Sequence, residues 1–237
     1  MALPKINTLP KYDVTIPSLG IKTKLRPYLV KEEKAIMIAR ETGDDSVVLN
    51  TVTDTILACI DEPLKKEQLS IFDIEYLILK IRSKSVGENV KLNLKCLKDD
   101  CKGETEYSLN LDDIKLDKEI PSNVINIAEN VDIEMKFPTI KEVAKITNIN
   151  DPSIEEAFNL ITSCIVAIKT EEERFVMKDA SPEEVNEFLD GLTSAQFEKL
   201  SNFVIDIPKL SHNVEYVCPK CETENKIVLE GIDSFFM

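Results

Sequence analysis

The sequence predicts an α+β chain: an N-terminal β-hairpin and helical bundle, then a zinc-ribbon-like β element that a helical insertion interrupts. Three observations predict it. Residues near the N-terminus and around the cysteine pairs alternate with a period of two, the spacing of half-buried strands. The stretches between them carry apolar residues at helical spacing. The pairs Cys96/Cys101 and Cys218/Cys221 stand far apart, yet each lies between alternating segments.

Met1 to Lys11 holds two prolines and little periodicity, so it reads as an extended arm. Tyr12 to Ile16 and Ile21 to Arg26 alternate around Ser18-Leu19-Gly20, a hairpin that Pro27 ends. Helical spacing follows from Lys31, with Ala35, Ile36, Ile38 and Ala39 on one side, until Gly43-Asp44-Asp45 breaks it. A second helix is expected over Ser46 to Ile60, with Val47, Val48, Val52, Ile56 and Leu57 facing inward. A third is signalled by Phe72, Ile74, Tyr76, Leu77, Leu79 and Ile81, and the three together would form one bundle.

After Ser85-Val86-Gly87 the period drops to two, and Val90, Leu92 and Leu94 lead into Cys96. Asp112 to Pro138 reads as a mostly extended connector with one strand at Asp132 to Phe137. Helices are expected at Thr139 to Thr147, Ser153 to Ile168, from Ser181-Pro182-Glu183-Glu184, and over Ser194 to Ile205. The chain closes with strands at Asn213 to Val217 and Lys226 to Leu229. This reading divides it into residues 1–88 (arm, hairpin and helices), 89–111 plus 212–232 (a discontinuous ribbon) and 112–211 (connector and helical insertion).

The two cysteine segments share a layout: alternating strand, cysteine, short turn, cysteine, alternating strand. Zinc takes four thiolates tetrahedrally at about 2.3 Å, and a tight turn is what lets two nearby cysteines point at one ion. Cys96, Cys101, Cys218 and Cys221 are therefore the candidate ligands of one structural zinc. A metal-free remnant or adventitious disulfides are the alternatives. Catalytic zinc is disfavoured, because four thiolates leave no position open for water. Redox chemistry at Cys218/Cys221 is disfavoured as well, because that pair lies between strands and not at a helix N-terminus.

Composition narrows the function. With 43% hydrophobic residues the chain has material for a core, and six cysteines are too few for a disulfide scaffold. No apolar run approaches the roughly 18 residues of a membrane span, so a soluble, unexported protein is expected. Acidic residues outnumber basic ones 43 to 29, for a formal charge of −14, the wrong sign for a protein that neutralises phosphates. No glycine-rich phosphate loop, nucleophile elbow or paired-carboxylate grouping is present.

Cys59 and Cys164 sit among apolar neighbours and read as core, and His212 as an ordinary surface residue or strand-end contact. Lys80, Arg82 and Lys84 read as a solvated helix end, and Glu171-Glu172-Glu173 as a loop charge run. Phe235-Phe236-Met237 is either tucked into the protein's own core or offered to another subunit.

Several segments also carry a likeness: Leu3-Pro4-Lys5-Ile6, Tyr12 to Ser18, Arg26-Pro27-Tyr28-Leu29-Val30-Lys31-Glu32-Glu33-Lys34, and above all Phe72 to Gly87 (FDIEYLILKIRSKSVG). Together with the two knuckles they resemble the T-even-type bacteriophage baseplate proteins. The resemblance implies a non-enzymatic component or assembly factor of the baseplate hub in a contractile tail. It would bind other tail proteins, with neither nucleic acid nor membrane as a partner, in the virion baseplate or in host cytoplasm during assembly. The arm and the apolar C-terminus would be docking elements. The competing class is a zinc-ribbon adaptor in transcription or nucleic-acid processing, against which the acidic balance argues.

Overall fold

A computed structural model describes residues 9–146 and 153–231. Most of the arm, residue Thr147 and the terminal Phe235, Phe236 and Met237 lie outside the described residues. The chain begins with strands β1 (Tyr12–Ile16) and β2 (Ile21–Leu25), then helices α1 (Val30–Glu41), α2 (Asp45–Cys59) and α3 (Ile71–Ser85). Strands β3 (Asn89–Lys95), β4 (Glu104–Asn110) and the short β5 (Lys115–Leu116) follow. Next come β6 (Val124–Ala128), β7 (Val131–Met135), α4 (Ile140–Val143), α5 (Ile154–Cys164), β8 (Ile165–Lys169), β9 (Arg174–Val176), α6 (Pro182–Asp190) and α7 (Ser194–Ile205). The chain ends on β10 (Leu210–Val217) and β11 (Glu224–Glu230).

These elements fall into two compact units. One comprises residues 1–66, 72–119 and 208–237; the other comprises 67–71 and 120–207. In the first, β1 and β2 form the expected hairpin, with Tyr12 opposite Leu25 and Ile16 opposite Ile21. Gly20 closes its turn at φ +65°, where a β-carbon would be strained, and donates to the Ile16 carbonyl at 2.9 Å. The turn is also held by the fully buried Asp73 of α3, whose carboxylate accepts from the Ser18 amide at 2.8 Å and from the Ser18 hydroxyl.

Helix α1 shows a smaller inward face than its spacing predicts. Ala39 is buried, but Ala35 is exposed and Ile38 is 52% exposed. In α2, Ile56 is buried with Thr53, Thr55 and Cys59, whereas Val47 faces solvent. Its start is capped by Asp44, which accepts from Ser46 and Val47 amides at 2.9 and 3.3 Å. Burial pushes the Cys59 thiol up to about 11, consistent with an inert core residue. Helix α3 is the most buried element, and its Leu79 joins a core shared with Leu92, Leu94, Leu109, Leu111, Ile114, Leu210, Val214 and Tyr216. The helix thus supports the ribbon strands as well as the N-terminal region.

The basic end of α3 is not a solvated cluster. Lys80 and Lys84, one turn apart, each reach Asp112 at 3.0 Å, and Lys84 also meets Glu88 at 2.5 Å. The return of the β3–β4 hairpin delivers Asp112, an approach that local sequence does not register.

The second unit contains more strand than the sequence suggests. Here β6, β7, β8 and β9 form one antiparallel sheet in that order. The helix expected over Ser153 to Ile168 ends at Cys164, because Ile165-Val166-Ala167-Ile168 pairs with β7 on one side and β9 on the other. A short apolar run of this kind fits either state by periodicity, and its β-branched residues favour the sheet. The helix expected over Thr139 to Thr147 is one turn at Ile140–Val143. Burial pushes the Cys164 thiol up to about 12, as core packing requires. Capping boxes start α5, α6 and α7 at Ser153/Glu156, Ser181/Glu184 and Thr193/Gln196. Among the described residues no helix is long and apolar enough to cross a membrane.

Burial pushes the Asp112 carboxyl up, but hydrogen bonds from Lys80 and Lys84 outweigh it and hold the group below its ordinary value. The stability it contributes is complete above the unfolded-state value, about pH 4, and fades as pH falls through the folded one. Asp112→Asn should therefore lower Tm at neutral pH and make less difference in acid, where the native carboxylate is itself protonated. Melting both proteins across pH checks this; a gap that does not change with pH would contradict it.

Candidate metal centre

Each cysteine pair sits at the tip of an antiparallel hairpin. In the first, β3 and β4 pair from Asn89 opposite Asn110 to Lys95 opposite Glu104, and the Cys96 amide donates to the Gly103 carbonyl at 2.9 Å. In the second, β10 and β11 pair from Ser211 opposite Glu230 to Val217 opposite Glu224, and the Cys218 amide donates to the Thr223 carbonyl at 3.0 Å. His212 lies opposite Leu229 in this ladder, away from the tip. The turns need left-handed residues: Asp100, just before Cys101, has φ +64°, and Glu222, just after Cys221, has φ +58°.

The two tips meet. The sulfurs of Cys96, Cys101, Cys218 and Cys221 all lie within 4.8 Å of one another. The Cys96–Cys221 separation is 3.6 Å and the Cys101–Cys218 separation 3.8 Å. All four cysteines are free thiols, and a disulfide would need about 2.05 Å. Four thiolates placed tetrahedrally at about 2.3 Å from one ion stand ~3.8 Å apart, so the spacing suits a single tetrahedral cation. Both of these close approaches run between the two hairpins.

The electrostatics point the same way. The Thr223 hydroxyl, 3.3 Å from Cys221 Sγ, and the Thr223 amide hold that thiol down at about 6. The Gly103 amide plays the matching part at Cys101. Even so, Cys101 is pushed up to about 11, first by its neighbour Cys221. Without a cation, one thiolate discourages the next; a dication would reverse that sign and hold all four deprotonated.

Three residues unmarked in the sequence lock the tips together. Asn225 is buried, accepts from the Leu97 amide at 2.8 Å and donates to the Thr223 carbonyl at 2.8 Å. The Tyr216 hydroxyl donates to the Lys95 carbonyl, and Thr105 reaches the Val217 carbonyl at 3.4 Å. Nothing local in the sequence marks them, since the bonds that cross between the hairpins, from Leu97 to Asn225, Tyr216 to Lys95 and Thr105 to Val217, join residues more than a hundred positions apart. Gly103 does not have a left-handed φ. It is there for space: a β-carbon would fall 2.4 Å from Cys218 Sγ and 3.3 Å from Cys101 Sγ.

Four cysteine sulfurs gathered from two hairpins of one compact unit form a candidate metal cluster. Residues 9–237 match the family model described as T4 bacteriophage base plate protein, and the chain belongs to that family. It is a structural protein of the phage tail baseplate, where it meets other tail and baseplate proteins. No curated protein and no solved structure matches the chain.

Gly103→Ala should weaken metal binding about 10- to 100-fold by displacing Cys218 Sγ, the range seen when the surroundings of metal ligands are disturbed. Competition with a chromophoric chelator measures it. Native affinity in this variant would show that the tips can separate without loss.

Proposed function

We propose that the chain is a non-enzymatic component or assembly factor of the baseplate hub, in which one structural zinc on Cys96, Cys101, Cys218 and Cys221 fastens the ribbon. The observation that carries the zinc reading is the convergence of four free thiols at tetrahedral spacing from hairpins far apart in the chain. All-thiolate sets suit zinc or iron–sulfur centres, and spacing around one point with four ligands suits a single ion. Such an ion supplies cross-linking and no open coordination position, so the site holds structure. The protein's work then lies in its surfaces. The 89–111 plus 212–232 ribbon serves as the clasp, and the apolar Phe235, Phe236 and Met237 and the N-terminal arm serve as contacts for neighbouring baseplate proteins.

Two measurements test this reading. Metal analysis of protein purified in reducing buffer should find about one zinc per chain, and its removal should lower Tm markedly; metal-free protein of undiminished Tm would overturn the zinc assignment. Phage deprived of this protein should accumulate incomplete baseplates. Mass spectrometry of purified virions then separates the two roles, since a component is retained and an assembly factor is lost. Normal baseplates in its absence would overturn the function.

A further inference from the structure

The chain's charge is unevenly placed. Residues 67–71 and 120–207 carry 18 acidic and 7 basic side chains, a formal −11 of the total −14. Eight of these acidic side chains lie on the β8–β9 hairpin, on α6 and on the segment between them, which border one groove between hairpin and helix. It has a volume of about 460 Å³, in the range that accommodates a ligand or a few side chains. Its walls include Ile168, Phe175, Met177, Val185 and Phe188.

Two features leave this groove incompletely covered. Helix α6 has a strongly two-faced sequence, yet none of its residues is buried, and Val185 and Phe188 remain half-buried. Across from them Phe175 is 51% exposed, on a strand that ends its sheet. Large apolar side chains left this open in a charged unit mark an interaction surface.

The rim says what covers it. Asp179 and Glu184 line the groove, exposed Glu183 and Glu187 stand beside it on α6, and Glu171, Glu172 and Glu173 project from the hairpin tip. Amide and hydroxyl bonds from Ser181 hold the Glu184 carboxyl below its ordinary value, so it is charged at neutral pH. The one basic residue in the lining, Arg174, is committed to Glu134 at 3.1 Å. Apolar walls with an acidic rim complement a segment carrying a large apolar side chain flanked by cations.

We propose that the groove between the β8–β9 hairpin and α6 docks a basic segment of another baseplate protein, whose apolar side chain sits between Phe175 and Phe188 and whose Lys or Arg side chains meet Asp179 and Glu184. The partner class rests on the baseplate reading; the groove does not depend on zinc.

The test uses the full-length protein and an array of short overlapping peptides that cover the other tail proteins of the same phage. Bound peptides should combine a large apolar residue with flanking Lys or Arg, and their retention should fall with added salt. For the strongest of them, the double variant Asp179→Asn, Glu184→Gln should weaken binding about tenfold. That variant keeps the groove's shape, and Gln preserves the helix cap. Phe175→Ser, at an exposed position, should weaken it to a similar extent. No retained peptide, retention without regard to charge, or affinities unmoved by both variants would overturn the proposal. If the array is blank while deprived phage still make incomplete baseplates, the groove assignment falls and the baseplate function stands.

Discussion

The first unit depends on one closure, the meeting of two hairpin tips at four sulfurs. Cys101 and Cys218 are 117 positions apart, so bringing them together removes much of the chain's freedom. In the chain-entropy picture a covalent link closing a loop of this size would be worth about 4 to 5 kcal/mol. A structural zinc binds folded thiolates with an apparent ~10–16 kcal/mol in small domains, ample to offset that cost. The weaker contacts follow from the closure: Asn225, Tyr216 and Thr105 can cross between tips only because the tips already touch. Gly103 is the steric condition for it, since any side chain there would occupy the place of Cys218 Sγ.

The closure also explains what the sequence could and could not reveal. The cysteines were legible because chemistry marks them twice, through residue type and through the alternating strands on either side. The first hairpin was legible in the same way, from alternation around Gly20, and α6 from the start signal at Ser181-Pro182-Glu183-Glu184. Strand β8 was hidden because Ile165-Val166-Ala167-Ile168 is apolar at every position, which erases the period that separates strand from helix. Lys80 and Lys84 looked solvated because their partner, Asp112, arrives only when β3 and β4 fold back. Asn225 was invisible for a similar reason: its amide serves a backbone group on the other hairpin, and no local pattern records that.

The two units differ in how they are held together and in charge. The first is nearly balanced in charge and is knitted by the sulfur cluster and by a core that runs through α3 and the ribbon strands. The second bears most of the negative charge and leaves apolar side chains open beside it. Such an arrangement suits a structural member of a baseplate family, which meets other tail and baseplate proteins. The buried thiols Cys59 and Cys164 fit this picture as inert core residues with raised ionisation values.

Amide hydrogen exchange, recorded in reducing buffer with and without a strong chelator, tests the closure most directly. If the four sulfurs fasten the tips through a bound ion, chelation will strip protection from β3, β4, β10 and β11 while the sheet of β6 to β9 keeps its own. Unchanged protection of both hairpins after the metal is gone would contradict the account.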